Sequence, residues 1–592
     1  MTVLGLDFGT TFSTVCLTSS NEVLMLNNDD SEFIPTIIGF SLTDDDVVYG
    51  YDAITRDGYG RDGFSVYKDL KRWIGVNSKT LPERRGKLKP LYDVACLGDQ
   101  FTLRIGPTFG SGRLRNLHEM VSLFIALIIR DFENLRNFRC SGLVVSVPSQ
   151  YTSTQRFFMK TTEERTGLPV FHIMNEPSAA LFASMLDVKK ISDWDSYVVY
   201  DFGGGTFDTS IVLRYGNYYS VIYSGGDDNL GGRDVDEAIR VFLLRRTSLP
   251  TTTQLSVSQL KEEVSVTGKS SSILFNNLRL ELRYDDLVRL TRPFLERSFA
   301  IMNKVIKDSG IRGRLTLIPA GGSSFLPGAI TLAEKAIRAV ERVIAPKRAR
   351  SAIAEGCALF STTLTEHSVL FVDCINSNIT SNKGLYQTRI IVAAGSALPL
   401  KAKLQGNYED CDLSFTLALY EGTSNRNINN INLLKKKIES HALGYRSGAW
   451  GWIANIEVDT SGSIEVKITN KEGAYTMVDS IKHEVLPLVT LPPYRSKIKE
   501  SIKQVVLIND FIAGCYLEKS LLKDTSVRTQ REYLKFLQNL ATIYEPKVLK
   551  TLLVASSFNG TTSIQSYLDR RRPIPEFLRD PECSVYIRRG EI

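Results

Sequence analysis

The sequence holds no CxxC pair. Its eight cysteines (Cys16, Cys96, Cys140, Cys357, Cys374, Cys411, Cys515 and Cys583) are scattered through 592 residues. That spacing excludes a zinc-finger signature and the disulfide frame of a small secreted domain, and it fits free thiols in a reducing compartment. No apolar run reaches the roughly 20 residues of a membrane span. The longest, Met120 to Ile129, predicts a buried helix. A secretory signal does not fit either, because Asp7 falls where its apolar stretch would begin. Lysines and arginines form no stripe interleaved with aromatics, and the net charge of +7 is mild for this length, so no nucleic-acid surface is legible. No low-complexity segment stands out. What remains is ordinary globular composition, 43% hydrophobic and 23% charged, with enough chain for three or four domains.

What is present is a device used twice. "GLDFGTTFST" begins at Gly5 and "YDFGGGTFDT" at Tyr200. Each has an Asp after an apolar residue, then Phe-Gly, a Gly/Thr-rich turn and a Phe. Apolar or alternating runs flank both turns, which predicts two β-hairpins tipped by Gly9-Thr10-Thr11 and Gly203-Gly204-Gly205. Glycines let backbone N–H groups approach phosphate oxygens, and threonine hydroxyls add donors. An Asp at the end of each first strand suits Mg²⁺, which keeps most of its water shell. One such turn alone is as readily a plain hairpin with a polar tip. Two copies in register imply two similar lobes facing one nucleotide.

These hairpins and further stretches in order ("KRWIG", "VVSVPSQYTSTQR", "IMNEPSAA", "LGGRDVD", "PAGGSSFLP") resemble the ATPase domain of the heat-shock-70 chaperones, within the actin and hexokinase superfold. The resemblance covers roughly residues 1–365 closely and 366–490 loosely. It implies an α/β, two-lobed ATPase domain over 1–365, an interdomain linker over 366–375, a degenerate β-sandwich of the substrate-binding type over 376–490, and a short helical lid-like region over 491–592.

Site residues follow from the same resemblance. Asp7 and Asp201 match carboxylates that hold Mg²⁺ through water. Gly9, Thr10, Thr11, Phe12, Gly203, Gly204, Gly205 and Thr206 match the phosphate contacts of ATP or ADP. Lys71 matches the lysine that orients the attacking water; without its motif it would read as a solvated helix lysine. Glu176 matches a glutamate near that water, with Pro177 expected at the first position of a helix and Glu176 in its cap region. Asp208 matches a further carboxylate of the catalytic set. Pro148 and Arg156 match an allosteric relay toward the linker. Gly231, Gly232, Gly321, Gly322 and Ser323 fit the nucleotide site, and Ser258, Lys261 and Ser265 align with ribose and base contacts. Phe325, which a helix over 325–339 would carry, stands where cellular members have an adenine-stacking Arg, and Arg350 where they have Asp. Glu164 replaces an Arg used to engage J-domain partners, so the resemblance does not extend to that co-chaperone.

Past residue 365, Val369, Leu370, Phe371, Val372 and Asp373 keep the apolar-then-acidic linker pattern, although the same run also reads as another buried strand. Alternation in "LSFTLALYEGTSN" and "WIANIEVDTSGSIEVKITN" predicts the β-sandwich. "LPLVTLPPYR" marks a boundary, and amphipathic runs follow it. The chain ends "RRGEI", without the acidic docking tail of cytosolic chaperones. This combination resembles the branch of the family encoded by closteroviruses of plants. The branch implies work in virion assembly at one end of the particle and in cell-to-cell movement through plasmodesmata. Its implied partners are viral capsid and movement proteins, with cytoskeletal or plasmodesmal components, in the host cytoplasm. Two other readings stand beside it. One is a divergent cellular folding chaperone, which would release apolar peptides on ATP binding. The other is a sugar kinase of the same superfold, which the strand-rich module and "NEPSAA" oppose.

Overall fold

The computed structural model describes residues 2–480, apart from 20–21, 26–31, 42–46, 56–63, 91, 98–101, 108–114, 186–193, 216–217, 248, 251–252, 254, 312, 347, 367–369, 384–386, 409–413, 446–448 and 474–475. The expected helical region over 491–592 therefore lies outside the described residues. The chain divides into two compact units. One comprises 1–33, 143–157 and 171–482; the described part of the other comprises 34–142 and 158–170.

The first unit is built on two sheets, each centred on one hairpin. One sheet runs Val170–Asn175, Gly142–Val147, Val3–Asp7, Phe12–Ser19, Glu22–Met25. The other runs Val340–Val343, Leu315–Ala320, Trp194–Phe202, Phe207–Tyr215, Tyr218–Asp227, Leu370–Val372. Each contains one of the expected hairpins. Asp7 pairs with Thr14 in the first, and Asp201 pairs with Asp208 in the second. Runs such as "GLVVSV" and "LTLIPA" are fully buried, as strands covered on both faces must be.

Helices Glu176–Met185 and Ala352–Glu366 join residues of both sheets in one core, including Val144, Met174, Val199, Ile318 and Cys357. They touch at backbone distance. A Cβ on Gly356 would stand 1.8 Å from the Ala179 carbonyl oxygen, so any side chain there would force the helices apart. Helices Gly232–Leu244, Ser258–Thr267 and Tyr284–Asp308 cover the other face of the second sheet through Tyr200, Phe202, Phe207, Val235, Leu260 and Phe299.

One local expectation changes. The helix read over 325–339 is a 3-10 turn, Gly322–Phe325, followed by a helix confined to Ala329–Ala336. Pro327 disfavours helical geometry at Leu326, and Gly328 takes a left-handed φ of 81°. The linker is partly a strand: Leu370–Val372 pairs in parallel with Tyr218, Tyr219 and Ser220 at the edge of the second sheet. Its apolar alternation suits that edge better than a solvated loop, and Phe371 stacks on Tyr219. Val369 lies outside the described residues.

Still within the first unit, two four-stranded antiparallel sheets follow. Their orders are Gln387–Val392, Ile379–Lys383, Ser414–Glu421, Ile431–Glu439 and Leu400–Tyr408, Trp450–Val458, Ile464–Asn470, Thr476–Ser480. They share one core of Ile379, Leu417, Leu419, Ile456, Val466 and Ile468, with the Phe415 ring stacked on Trp452 at 4.3 Å. Strict alternation of burial along Ile464–Asn470 follows the period of the sequence.

The second unit contains helix Leu117–Arg136, whose Met120 to Ile129 stretch is buried as expected. Asn116 caps it, its Oδ1 accepting from the His118 N–H at 2.8 Å. Arg165 joins this helix to Thr162–Thr166: its Nη1 donates to Glu119 Oε1 and its Nε to His118 Nδ1, both at 2.8 Å. No helix among the described residues is long and apolar enough to cross a membrane. The five described cysteines are free thiols.

Candidate nucleotide site

The two hairpins meet at their tips. A Cβ on Gly204 would lie 2.4 Å from Thr11 Oγ1, and one on Gly205 would lie 2.4 Å from Thr10 Oγ1. Close approach of backbone to a threonine-bearing turn is what these glycines provide, as their sequence pattern implied. The Thr11 hydroxyl oxygen is buried and has no hydrogen-bond partner among the described residues. A buried hydroxyl left that way costs free energy until a ligand oxygen or water meets it.

The second tip is braced from behind. The N–H groups of Gly232 and Arg233 donate to the carbonyls of Gly203 and Gly204 at 3.0 and 2.8 Å, and Gly203 N donates to the Thr206 carbonyl at 3.0 Å. Ser323 Oγ donates to the Gly203 carbonyl at 2.8 Å. Gly231 precedes helix Gly232–Leu244, with Asp234 accepting from its N–H at 2.8 Å. Gly321 and Gly322 follow strand Leu315–Ala320, whose Ala320 pairs with Asp201. Residues matched to the nucleotide site thus come from four segments of one unit.

The carboxylates are arranged around these tips. Asp201 and Asp208 are buried and directly opposite on neighbouring strands. Like charges so placed repel at low dielectric unless a cation offsets them. Asp7, at the matching end of the first hairpin, accepts from Ser146 Oγ at 3.3 Å. Ser149 Oγ donates to Asp208 Oδ1 at 2.7 Å. Among the described residues no three Asp, Glu, His or Cys side chains converge on a direct metal shell. A small number of buried carboxylates beside hydroxyl donors is a set that fits an ion keeping most of its waters, as Mg²⁺ does. Glu176 is buried and begins its helix, with Pro177 second rather than first. Lys71 belongs to the second unit, on the short helix Leu70–Trp73, and is buried.

The residues expected at the ribose and base divide. Lys261 Nζ donates to the Gly232 carbonyl at 3.1 Å and pairs with Asp236 at 2.8 Å, so it ties helix Ser258–Thr267 to the braced tip. Ser265 spends its hydroxyl on the Lys261 carbonyl of its own helix, at 2.8 Å. Ser258 begins that helix, half-buried. Phe325 is 54% exposed and is not a core residue. Arg350 lies over the rings of Phe33 and Phe12, 4.6 and 5.7 Å from their centroids, and 3.7 Å from Glu262.

The residues of the expected relay pair also lie in this unit. Pro148 offers its carbonyl to Tyr151 N at 3.0 Å, and Arg156 donates to the Tyr151 carbonyl at 3.2 Å and to Asn175 Oδ1. Asp373 accepts from Ser178 Oγ at 3.1 Å, and Glu421, from the β-sandwich, accepts from Ser153 N and Oγ. Burial pushes the Asp373 and Glu421 carboxyls up, while the Arg156 charge pulls both back. Sequence reasoning missed Ser149, Ser146 and Glu421. Ser146 and Ser149 stood inside one quoted motif and Glu421 inside a quoted strand stretch, but nothing local marked their partners.

Likeness to known proteins extends over most of the chain. The family model described as "Hsp70 protein" matches residues 3–476. The "Movement protein Hsp70h" of Beet yellows virus (isolate Ukraine) is 33% identical over 447 residues, covering 71% of this chain and 73% of that protein. The protein of the same description from Lettuce infectious yellows virus (isolate United States/92) is 28% identical over 505 residues, covering 82% and 89%. That of Grapevine leafroll-associated virus 3 (isolate United States/NY1) is 29% identical over 434 residues, covering 72% and 77%. Members of this family are ATPases with an actin-like two-lobed fold. A family match over most of the length, on a mixed α/β body whose two Asp-Phe-Gly hairpins meet tip to tip, makes this chain a member of the Hsp70 family.

Proposed function

We propose that this chain is an Mg²⁺-dependent, slow ATPase that serves a plant closterovirus in cell-to-cell movement and in assembly of the virion tail. The observation that carries the ATPase reading is the tip-to-tip approach of Thr10-Thr11 and Gly204-Gly205, with the Thr11 hydroxyl awaiting a partner. Phosphoryl transfer asks the protein mainly for positioning and charge. In this reading the backbone N–H groups and threonines of both tips hold the phosphates of ATP. Asp7 and Asp201 hold Mg²⁺ through its waters, and that ion supplies charge neutralisation. Glu176, Asp208 and Lys71 serve the attacking water, Lys71 by resemblance alone. Phe325 offers a planar face to the base, with Ser258, Lys261 and Ser265 on the ribose side.

Titrating the full chain with MgATP tests the site: saturable binding that weakens when EDTA removes the ion is the expected result. No binding of MgATP or MgADP would overturn the reading.

The movement role rests on the printed names of the three viral relatives. Capsid and movement proteins are then the partners, in the host cytoplasm and at plasmodesmata, with the virion end as a second location. A virus carrying Asp201→Asn should stay in the first infected cells. Normal spread of that virus would contradict the role. A cellular folding chaperone would instead show ATP-accelerated release of a short apolar peptide. Pro148 and Arg156 would relay nucleotide state to Leu370–Val372 and the β-sandwich, making protease cleavage near residue 370 differ between ATP and ADP.

A further inference from the structure

We propose that Ser149 is a positioning residue for the Asp208 carboxylate, and so for the hydrolytic step; the inference rests on the ATPase reading above. Ser149 is wholly buried, and its hydroxyl donates to Asp208 Oδ1 at 2.7 Å. The other neighbours of that oxygen are also fixed. A Cβ on Gly226 would stand 3.0 Å from Asp208 Oδ1 and 3.1 Å from Gln150 Cγ, so the carboxylate lies against bare backbone beside the Gln150 stem. With Oδ1 held by the serine, the direction in which Oδ2 points is set as well. This carboxylate faces Asp201 across the strand pair, so its orientation decides how the two negative groups share whatever cation or water lies at the tips.

The donor is itself held by its own turn. Pro148 precedes it, Tyr151 N closes the turn onto the Pro148 carbonyl at 3.0 Å, and Arg156 Nε donates to the Tyr151 carbonyl at 3.2 Å. Four residues after Ser149, Ser153 carries the contacts to Glu421. Ser149 therefore presents a fixed hydroxyl rather than a mobile one, and preorganised donors of this kind support groups that act on the reacting atoms.

A buried serine could equally satisfy a buried aspartate for stability alone, so the test separates the two roles. Ser149→Ala is compared with Ser210→Ala, in full-length protein. Ser210 lies on the Asp208 strand, is buried, and shares a 2.7 Å hydrogen bond with Ser224. Melting temperature, MgATP dissociation constant and single-turnover hydrolysis are measured for each. Ser149→Ala should lower the single-turnover rate by roughly tenfold or more while MgATP affinity stays within about twofold. Ser210→Ala should match its fall in melting temperature and keep the wild-type rate. Ser149→Thr, which restores the hydroxyl, should recover much of the lost rate. Equal rates for wild type and Ser149→Ala, or equal losses in both alanine variants, would overturn the inference. If wild type itself hydrolyses no ATP, the ATPase reading fails instead, and the two failures remain distinct.

Discussion

Gly204 lies so close to Thr11 that a methyl group on its Cα would come within 2.4 Å of the threonine hydroxyl oxygen. Residues almost two hundred positions apart thus form one surface, and each depends on the smallness or the donor of the other. Gly204→Ala should turn or displace Thr11 and open the tips. We expect MgATP affinity to fall about tenfold or more, equivalent to ~1.4 kcal/mol, with little change in melting temperature. Wild-type affinity in that variant would show that the tips do not hold the phosphates together.

Phe325 and Lys71 should separate binding from chemistry. Phe325 is more than half exposed, which leaves its ring available to a base, and stacking of that kind is worth about 1–3 kcal/mol. Phe325→Ala should weaken MgATP binding roughly five- to a hundred-fold and leave the saturated rate nearly unchanged, because the contact is equal in ground and transition states. Lys71→Ala should bind MgATP and lose turnover, since its charge matters most as the γ-phosphate is transferred. Unaltered affinity in Phe325→Ala would remove the ring from the base.

Acid should weaken the second unit through His118. Arg165 Nε donates to its Nδ1 at 2.8 Å, while its Nε2 meets the Phe158 carbonyl and Thr161 Oγ1; the nearest carboxylate in this network, Glu119, bonds Arg165. Burial, reinforced by the Arg165 charge, holds the imidazole well below the usual histidine range. The native state then stays neutral while the unfolded chain takes a proton. Stability conferred by the neutral ring is complete above about pH 6.5 and is lost as pH falls below it, at up to about 1.4 kcal/mol per pH unit. Melting temperatures of wild type and His118→Gln should converge between pH 7.5 and 5. A constant gap would mean that His118 does not titrate in the unfolded chain alone.

Much of this was legible in the sequence, for local reasons. The Asp-Phe-Gly turns carry their own hairpin chemistry, and the alternation in "SIEVKITN" fixes which face of that strand is buried. Met120 to Ile129 announced a buried helix through composition alone. What escaped depends on contacts distant in sequence. Ser149 and Asp208 are 59 residues apart, and Ser153 and Glu421 are 268 apart. No periodicity couples such positions. The run at Leu370–Val372 read both as linker and as strand; it pairs as a strand because Tyr218–Asp227 leaves an edge for it, a fact of the sheet that no local pattern decides. The helix read over 325–339 failed for a visible reason, since Pro327-Gly328 was already there to break it.

The central claim is that the paired Asp hairpins form an Mg²⁺-dependent ATPase site, and phosphate release from ATP by purified wild type and Asp201→Asn tests it most directly. Asp201 is buried opposite Asp208 at the end of its strand, so the substitution removes one charge from the site while keeping size and shape. The account predicts slow, EDTA-sensitive phosphate release by wild type, and release at the background level from a folded Asp201→Asn protein. Equal turnover by the two proteins would contradict it.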